Sequence, residues 1–128
     1  MKIGDLAKKT KLGVDTLRYY EKIGLLTDVE RNESGYRNYK NHNVEQVRFI
    51  RNAQHSGFSL EEIRHLLEFR QAPVVAKAHV RKLAQDKANE LTERIESLTG
   101  LRDELLELVG QCEVEDSHCP IIDKFSDA

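Results

Sequence analysis

Two cysteines and a histidine near the carboxyl end are the residues of this 128-residue chain best suited to chemistry. Cys112 and Cys119 are separated by six residues, and His118 directly precedes the second cysteine. A segment of that length can double back and bring two sulfur atoms to one point, as a chelated metal ion requires. Closing so short a loop costs little chain entropy. We therefore interpret Gln111–Pro120 as a loop that binds one metal ion.

Composition limits the compartment in which this loop operates. The chain is 39 % apolar and 33 % charged, and it has no apolar run of the roughly 18 residues that suggest a membrane span. The amino-terminal residues lack the layout of a signal peptide. The sequence thus predicts a cytoplasmic protein without membrane contact. In a reducing compartment, paired cysteines are expected as free thiols or metal ligands rather than as a disulfide.

Charge is distributed unevenly along the chain, although the net charge is only −2. Residues 1–72 contain 13 Lys and Arg against 10 Asp and Glu, whereas residues 73–128 contain 7 against 12. A basic patch can neutralise phosphates even in a chain that is acidic as a whole. The front half is therefore compatible with binding to nucleic acid.

The first 21 residues predict a helix-turn-helix. Apolar residues recur at helical spacing up to Ala7, the segment Thr10–Gly13 interrupts the pattern, and a second run covers Val14–Glu21. On the second helix the side chains near the exposed face, which could reach a major groove, are Asp15, Thr16, Arg18 and Tyr19. An ordinary amphipathic helical hairpin explains the spacing equally well.

The next segments predict a hairpin and two further helices. Leu26–Lys40 places turn-forming residues between short extended pieces, which indicates a β-wing with basic and aromatic side chains, or a solvated hairpin. A helix is expected over Asn41–Ser56, ending at Gly57. The following helix begins with a capping box, Ser59 with Glu62, and should end near Pro73.

A long helix with one apolar stripe is predicted from Val74 to Leu108. Its apolar residues recur at three- and four-residue steps, and the opposite face is densely charged. Lys87 weakens one layer of the stripe, and Gly100 would allow a neighbouring backbone to approach closely. In so small a chain, a second copy is the expected partner for this stripe.

The order of these parts resembles the MerR family of bacterial transcription regulators, over essentially the whole chain. The motifs that carry the resemblance are Ile3–Ala7, Leu17–Glu21, Gly24-Leu25, Arg31, Ser34–Tyr39, Phe49–Arg51, Gly57–Ile63 and Cys112 with Cys119–Ile122. Each motif is weak by itself, but the set in this order is specific.

The resemblance implies a mainly α fold in three parts. Residues 1–72 would form a winged helix-turn-helix DNA-binding domain, residues 73–110 an antiparallel coiled-coil dimerisation helix, and residues 111–128 a metal-sensing loop with a short terminal helix. A homodimer would bind double-stranded promoter DNA and, on binding its effector, distort the promoter so that RNA polymerase can use it. Matching motif positions suggest that DNA is contacted by Arg18, Tyr19, Tyr20, Arg31, Tyr36 and Arg37.

The identity of the metal depends on residues outside the two cysteines. Sensors of divalent ions in this family usually carry a third cysteine near the start of the dimerisation helix, whereas copper and silver sensors carry a serine; this chain has Lys77. Two thiolates, a monovalent ion and the ammonium of Lys77 would balance in charge, which favours copper(I) or silver(I). The residues Pro120-Ile121-Ile122 also resemble the copper sensors, although those usually have one more residue between the cysteines.

Additional donors favour a divalent ion, which the sequence places slightly first. His118 and three acidic residues, Glu113, Glu115 and Asp116, share the loop, and His79 could approach from a second subunit. Two cysteines with a histidine or a carboxylate suit zinc, nickel or cadmium. Either histidine could equally be a solvated residue without a ligand role.

Other function classes are less well supported by the sequence. Oxidation of Cys112 with Cys119 would make the loop a thiol redox sensor. DNA binding without any effector is a further alternative. No arrangement of residues in the sequence predicts an enzyme.

Overall fold

The computed structural model describes residues 1–71, 73–112 and 118–126, and it is predominantly helical, as predicted. Six helices and two short strands follow one another along these residues, α1 to α6 with β1 and β2 between α2 and α3. The chain divides into two compact units, Met1–Ala84 and Gln85–Ala128, each of which we describe by itself. No helix among the described residues is long and apolar enough to cross a membrane.

The helix-turn-helix is formed by α1 (Ile3–Thr10) and α2 (Val14–Lys22). Helix α1 ends at Lys11, whose backbone is left-handed with φ of 59°, and the chain then becomes extended at Gly13 before α2 begins. Such a left-handed residue ends a helix by turning the chain away from the helix axis. The interruption that the sequence predicts between the two helices is confirmed.

The wing is a small antiparallel hairpin of β1 (Glu30–Arg31) and β2 (Arg37–Asn38), in which Glu30 pairs with Asn38. Its tip is organised by Asn32, whose side-chain oxygen accepts hydrogen bonds from the backbone N–H groups of Ser34 and Tyr36, each at 3.0 Å. Side-chain amides commonly stabilise turns in this way. The predicted wing is therefore shown only in part, as a hairpin of two two-residue strands within the Leu26–Lys40 segment.

Helices α3 (Asn41–His55) and α4 (Leu60–Arg70) follow the predicted bounds. The capping box at the start of α4 is confirmed: Ser59 Oγ accepts from the N–H of Glu62, and the Glu62 carboxylate accepts from the N–H of Ser59 at 2.8 Å. Both bonds satisfy backbone donors that have no partner within the helix.

The core of the first unit joins α1, α2, α3 and α4 with the segments on either side of the wing. Its fully buried side chains are Leu6, Leu17, Leu25, Leu26, Tyr39, Val47, Ile50 and Ile63, with buried Asn43 among them. The amide of Asn43 donates to the carbonyl of Thr27 at 3.0 Å, and its oxygen accepts from the N–H of Lys40 at 2.9 Å. These bonds offset the cost of burying a polar side chain and anchor the chain that leads from α2 to the wing.

The long helix α5 (Pro73–Gln111) has about the length predicted for the dimerisation helix. Helix α6 (Pro120–Ser126) is the predicted short terminal helix. Proline is well placed at the first position of α5, because the N–H it lacks would have no helical partner there. In the second unit the apolar stripe remains exposed to solvent at Ile95, Leu98, Leu101, Leu105, Leu106 and Val109. An apolar stripe of this length requires a partner in solution.

Candidate nucleic-acid interface and metal-binding loop

Helix α2 presents one polar face to solvent and packs its other face into the core. Asp15, Arg18 and Tyr19 are exposed, with half of the Tyr19 surface accessible, whereas Leu17 is fully buried and Thr16 partly buried. The guanidinium of Arg18 lies 4.0 Å from the carboxylate of Asp15, a weak contact between two exposed groups. These side chains are available to phosphates and base edges, as the sequence predicts.

Tyr20 is much less accessible than Tyr19, so the expectation that it contacts DNA stays a prediction that its burial does not favour. Only 4 % of its surface is exposed, and its hydroxyl donates to the side-chain oxygen of Gln54 at 2.7 Å. Burial raises the pKa of this hydroxyl. The signal was present in the sequence, because Tyr20 follows Leu17 by three residues and therefore shares its buried helix face.

The wing displays the other three predicted contact residues. Tyr36 is 72 % exposed, and Arg31 donates from Nη1 to the carbonyl of Gly35 at 2.8 Å, which holds its side chain along the hairpin. Arg37 donates from Nε to the carboxylate of Glu21, on α2, at 2.6 Å. The structure thus brings Arg31, Tyr36 and Arg37 together on the wing.

Glu21 was not singled out by sequence reasoning, yet it joins the wing to α2. Besides Arg37, it accepts a hydrogen bond from the buried hydroxyl of Tyr39 at 3.0 Å. Burial, together with the neighbouring carboxylate, raises the pKa of Tyr39 to about 12. The hydrogen bond between Arg37 and Glu21 raises the pKa of Arg37. A sequence pattern could not reveal this cluster, because 16 residues separate Glu21 from Arg37.

The two cysteines lie close together in the second unit. Cys112 follows the last residue of α5, Cys119 precedes α6, and their Sγ atoms are 3.9 Å apart. Both are free thiols, because a disulfide would require a separation of about 2.05 Å. The predicted pairing of the two sulfur atoms at one point is therefore present. The other loop residues considered as donors, Glu113, Glu115 and Asp116, lie outside the described residues.

The surroundings of Cys119 stabilise its thiolate form. Hydrogen bonds from the backbone N–H groups of Ile122 and Ile121 lower the pKa of its thiol, and a smaller lowering comes from Cys112. These donors stabilise negative charge on sulfur. Because the thiolate is the form that binds metals, the start of α6 favours metal binding by Cys119.

The two histidines considered as third ligands lie in different surroundings. His118 has its Nε2 atom 2.7 Å from the carboxylate of Asp123, and the ring of His79, in the first unit, stacks on Phe69 with centroids 5.5 Å apart. Lys77 is exposed. Within the described residues there is no group of three or more His, Cys, Asp or Glu side chains that could hold a metal ion.

The sulfur separation fits a metal ion held between the thiols. With metal–sulfur bonds of about 2.3 Å, a tetrahedral angle places two sulfurs about 3.8 Å apart and a linear arrangement about 4.6 Å apart. At the observed separation of 3.9 Å, the sulfur atoms fit tetrahedral coordination without movement. Linear coordination would require the two sulfur atoms to move apart. Both cysteines are near the surface, so an ion can reach them.

A helix-turn-helix with a short hairpin, followed by one long helix and two adjacent thiols, is an arrangement typical of DNA-binding transcription regulators. The chain belongs to the MerR family. Residues 1–69 match the family described as MerR HTH family regulatory protein, and residues 44–108 match the one described as MerR, DNA binding.

Known relatives cover nearly the whole chain. The regulator CueR of Salmonella typhimurium is 39 % identical over 127 residues, which is 98 % of this chain and 92 % of the relative. The regulator HmrR of Rhizobium leguminosarum is 41 % identical over 128 residues, 99 % of this chain and 98 % of the relative. The crystal structure of PbrR691 from Ralstonia metallidurans in complex with lead(II) has a TM-score of 0.82, 32 % identity and 98 % coverage of both chains.

These findings confirm several expectations. The chain is a metal-responsive MerR-type regulator that binds promoter DNA as a homodimer, and it is not an enzyme. The predicted cytoplasmic location follows from this family, because its members act on promoters. The fold class is confirmed as well. The individual ligand and DNA-contact residues and the kind of metal ion belong to the proposal below.

Proposed function

We propose that this protein is a transcription activator that responds to copper(I) or silver(I) and distorts its promoter when one ion binds between Cys112 and Cys119. The observation that carries the proposal is the pairing of the two thiols at the junction of α5 and α6, whose sulfur atoms would move apart from 3.9 Å to about 4.6 Å to hold such an ion in a linear arrangement. A soft monovalent ion is satisfied by two sulfur donors, whereas structural sites for zinc need about four ligands.

Similarity to known regulators supports a monovalent ion. CueR and HmrR, which match this chain over nearly its full length, are copper-type sensors. The sequence by itself places zinc, nickel or cadmium slightly first. The comparisons support the copper(I) or silver(I) alternative better.

The local charge also suits a monovalent ion. Two thiolates around such an ion leave one negative charge, and an ammonium such as that of Lys77 from a second copy would balance it. Two thiolates and a divalent ion together carry no net charge, so an added ammonium would leave the site with a positive charge. Lys77 is exposed on α5 and thus available for such a contact.

A divalent ion is the second candidate, and the placement of His118 favours it. Metal-ligating histidines usually bind a carboxylate with the ring nitrogen that does not face the metal. The 2.7 Å contact between His118 Nε2 and Asp123 would leave Nδ1 as the ligand atom. The lead(II) complex of PbrR691 belongs to the same family, which is consistent with a larger ion in a loop of this kind.

Metal titration of the purified dimer separates the two candidates. The dimer on promoter DNA would be titrated under anaerobic conditions with copper(I), silver(I), zinc, nickel and cadmium, and transcription would be measured alongside metal affinity. We expect activation by copper(I) and silver(I). Activation by zinc, nickel or cadmium, without a response to the monovalent ions, would support the second candidate instead.

Variants assign the ligands. Cys112→Ser and Cys119→Ser should each abolish the response, because one thiolate cannot hold the ion. His118→Ala is the matched control: it should leave copper(I) affinity unchanged if the ion is monovalent, and reduce zinc or cadmium affinity about 10- to 100-fold if the histidine is a ligand. Activation by a thiol oxidant without added metal would indicate the redox alternative.

DNA contact is proposed for the exposed side chains of α2 and the wing. These are Asp15, Arg18, Tyr19, Arg31, Tyr36 and Arg37, with Thr16 at the edge of the α2 face. Arginine and tyrosine donate hydrogen bonds to phosphates and so fix the position of the head on DNA. Distorting the promoter costs several kcal/mol. Metal binding would supply this free energy by stabilising the state of the dimer that distorts the DNA.

A further inference from the structure

Glu21 is a carboxylate on a surface that otherwise suits a polyanion. A cleft of about 1180 Å³ between α2 and the wing is lined by five basic side chains, Lys2, Arg18, Lys22, Arg31 and Arg37. Two carboxylates also line it, Asp5 and Glu21. Asp5 has a local role, since it accepts a hydrogen bond from the backbone N–H of Lys2 at the start of α1. Glu21 needs a different explanation, because a carboxylate beside phosphates is repelled by them.

The contacts of Glu21 supply that explanation. Its two carboxylate oxygens serve different residues, Oε2 accepting from Arg37 Nε at 2.6 Å and Oε1 from the Tyr39 hydroxyl at 3.0 Å. The Glu21 side chain is only 21 % exposed, whereas that of Arg37 is 49 % exposed. The carboxylate is thus largely covered while the guanidinium remains accessible.

We infer that Glu21 is a positioning residue for DNA binding, which holds the guanidinium of Arg37 ready for a phosphate and fixes the wing to α2. A guanidinium is a planar fork with several N–H donors, and a carboxylate bound at Nε fixes the plane while the terminal NH₂ groups remain for another acceptor. Arginine side chains lose considerable rotamer freedom when they bind, so an arginine that is already held loses less.

Tyr39 makes the attachment rigid. It follows β2, it is 2 % exposed within the core, and its hydroxyl binds the same carboxylate. Glu21 therefore connects the wing to α2 by two contacts, an exposed one with Arg37 and a buried one with Tyr39. A phosphate contact by Arg37 and a base or phosphate contact by Arg18 would then be made by one preorganised surface.

Substitution of Glu21 by glutamine tests this role, because positioning and simple repulsion predict opposite changes in promoter affinity. Glutamine keeps an oxygen that can accept from Tyr39 but loses the charge that holds Arg37. Positioning predicts that E21Q weakens promoter binding about fivefold or more, whereas simple repulsion between carboxylate and phosphate predicts tighter binding. The matched control is Glu45→Gln, which removes an exposed carboxylate of α3 and should leave the Kd unchanged.

A double-mutant cycle with Arg37 tests whether Glu21 acts through that residue. The inference rests on the proposed contact of Arg37 with DNA, so R37Q is measured first; it should weaken binding and reduce the slope of log K against log salt by about 0.9. In the R37Q background, E21Q should have no further effect on the Kd. Additive effects, or tighter binding by E21Q, would overturn the role of Glu21.

The cycle also separates failure of this inference from failure of the proposed contact. If R37Q leaves both the Kd and the salt slope unchanged, Arg37 does not contact phosphate, and the proposed DNA interface fails at that residue together with the inference. Thermal unfolding of each variant completes the measurement. An E21Q protein that unfolds at the parental temperature but binds DNA less tightly supports positioning, whereas loss of binding that parallels loss of stability argues against it.

Discussion

At the scale of single residues, neighbouring side chains of the same type have different roles. Tyr19 and Tyr20 stand side by side in α2, yet the first is half exposed and the second is buried against Gln54. A motif matched by residue type cannot separate them, whereas the helical period can. The proposed interface therefore retains Tyr19 and excludes Tyr20.

Cys119 is the residue whose local surroundings lead to a pH-dependent prediction. Backbone N–H donors lower the pKa of its thiol below the ordinary value of 9.0, so the thiolate persists to lower pH than in an unfolded chain. Protons compete with metal for a thiolate, and metal affinity should fall as the pH drops through this lowered pKa. We expect the rate of iodoacetamide alkylation of Cys119, measured against pH in the Cys112→Ser variant, to have a midpoint below that of the denatured protein. Equal midpoints would contradict the stabilising role of the donors.

At the scale of elements, the wing depends on its tip. Gly35 adopts φ of 82°, which is left-handed, and a Cβ atom added there would meet nothing within 4 Å. The cost of a side chain at this position is thus conformational, on the order of 1–2 kcal/mol. Because Asn32 and Arg31 both bind groups around this turn, the tip determines where the arginines of the wing lie.

We predict that Gly35→Ala weakens promoter binding about tenfold while the helical part of the first unit remains folded. The expected free-energy loss falls on the hairpin, which contributes little to the core, so circular dichroism should remain unchanged as the Kd rises. Gly110→Ala is a suitable control for the substitution type, since it lies within α5 and a Cβ atom added there would meet nothing within 4 Å. Unchanged DNA binding by Gly35→Ala would show that the wing tip does not contribute.

At the scale of the whole molecule, the stripe on α5 determines the assembly. Leu91, Leu98 and Leu105 recur at seven-residue steps, and the last two are exposed in the single chain. Burying one leucine contributes roughly 1.5–3 kcal/mol, and a two-fold dimer buries each position twice. Lys87, which is buried and donates to Glu90 at 2.8 Å, interrupts the stripe near its start.

We predict that Leu98→Glu raises the dissociation constant of the dimer by about 10²- to 10⁴-fold, because two leucine contacts are lost and two charges must be desolvated. Sedimentation analysis would measure this change, and promoter binding should weaken in parallel. Asn89→Glu is the control, since it adds the same charge at an exposed position on the opposite face of α5. If Asn89→Glu dissociates the dimer as strongly as Leu98→Glu, the stripe is not the interface.

The order of the elements could be predicted from the sequence because it depends on local patterns. Helical spacing places α1 to α4, the capping box of Ser59 and Glu62 starts α4, and the long apolar stripe gives α5. The two cysteines could also be assigned as a pair, since six residues are a short enough connection. The lengths of the strands could not be predicted, because they depend on hydrogen bonds made by Asn32 within a compact turn.

The sequence by itself determined that the chain has a DNA-binding head, a long helix and two thiols in one loop, since residue type and spacing suffice for these. Only the tertiary structure decided that Glu21 connects Arg37 with Tyr39. It also showed that the start of α6 directs N–H donors at Cys119. The physical reason is that these properties depend on contacts between residues distant in sequence or on the direction of backbone groups, which spacing does not specify.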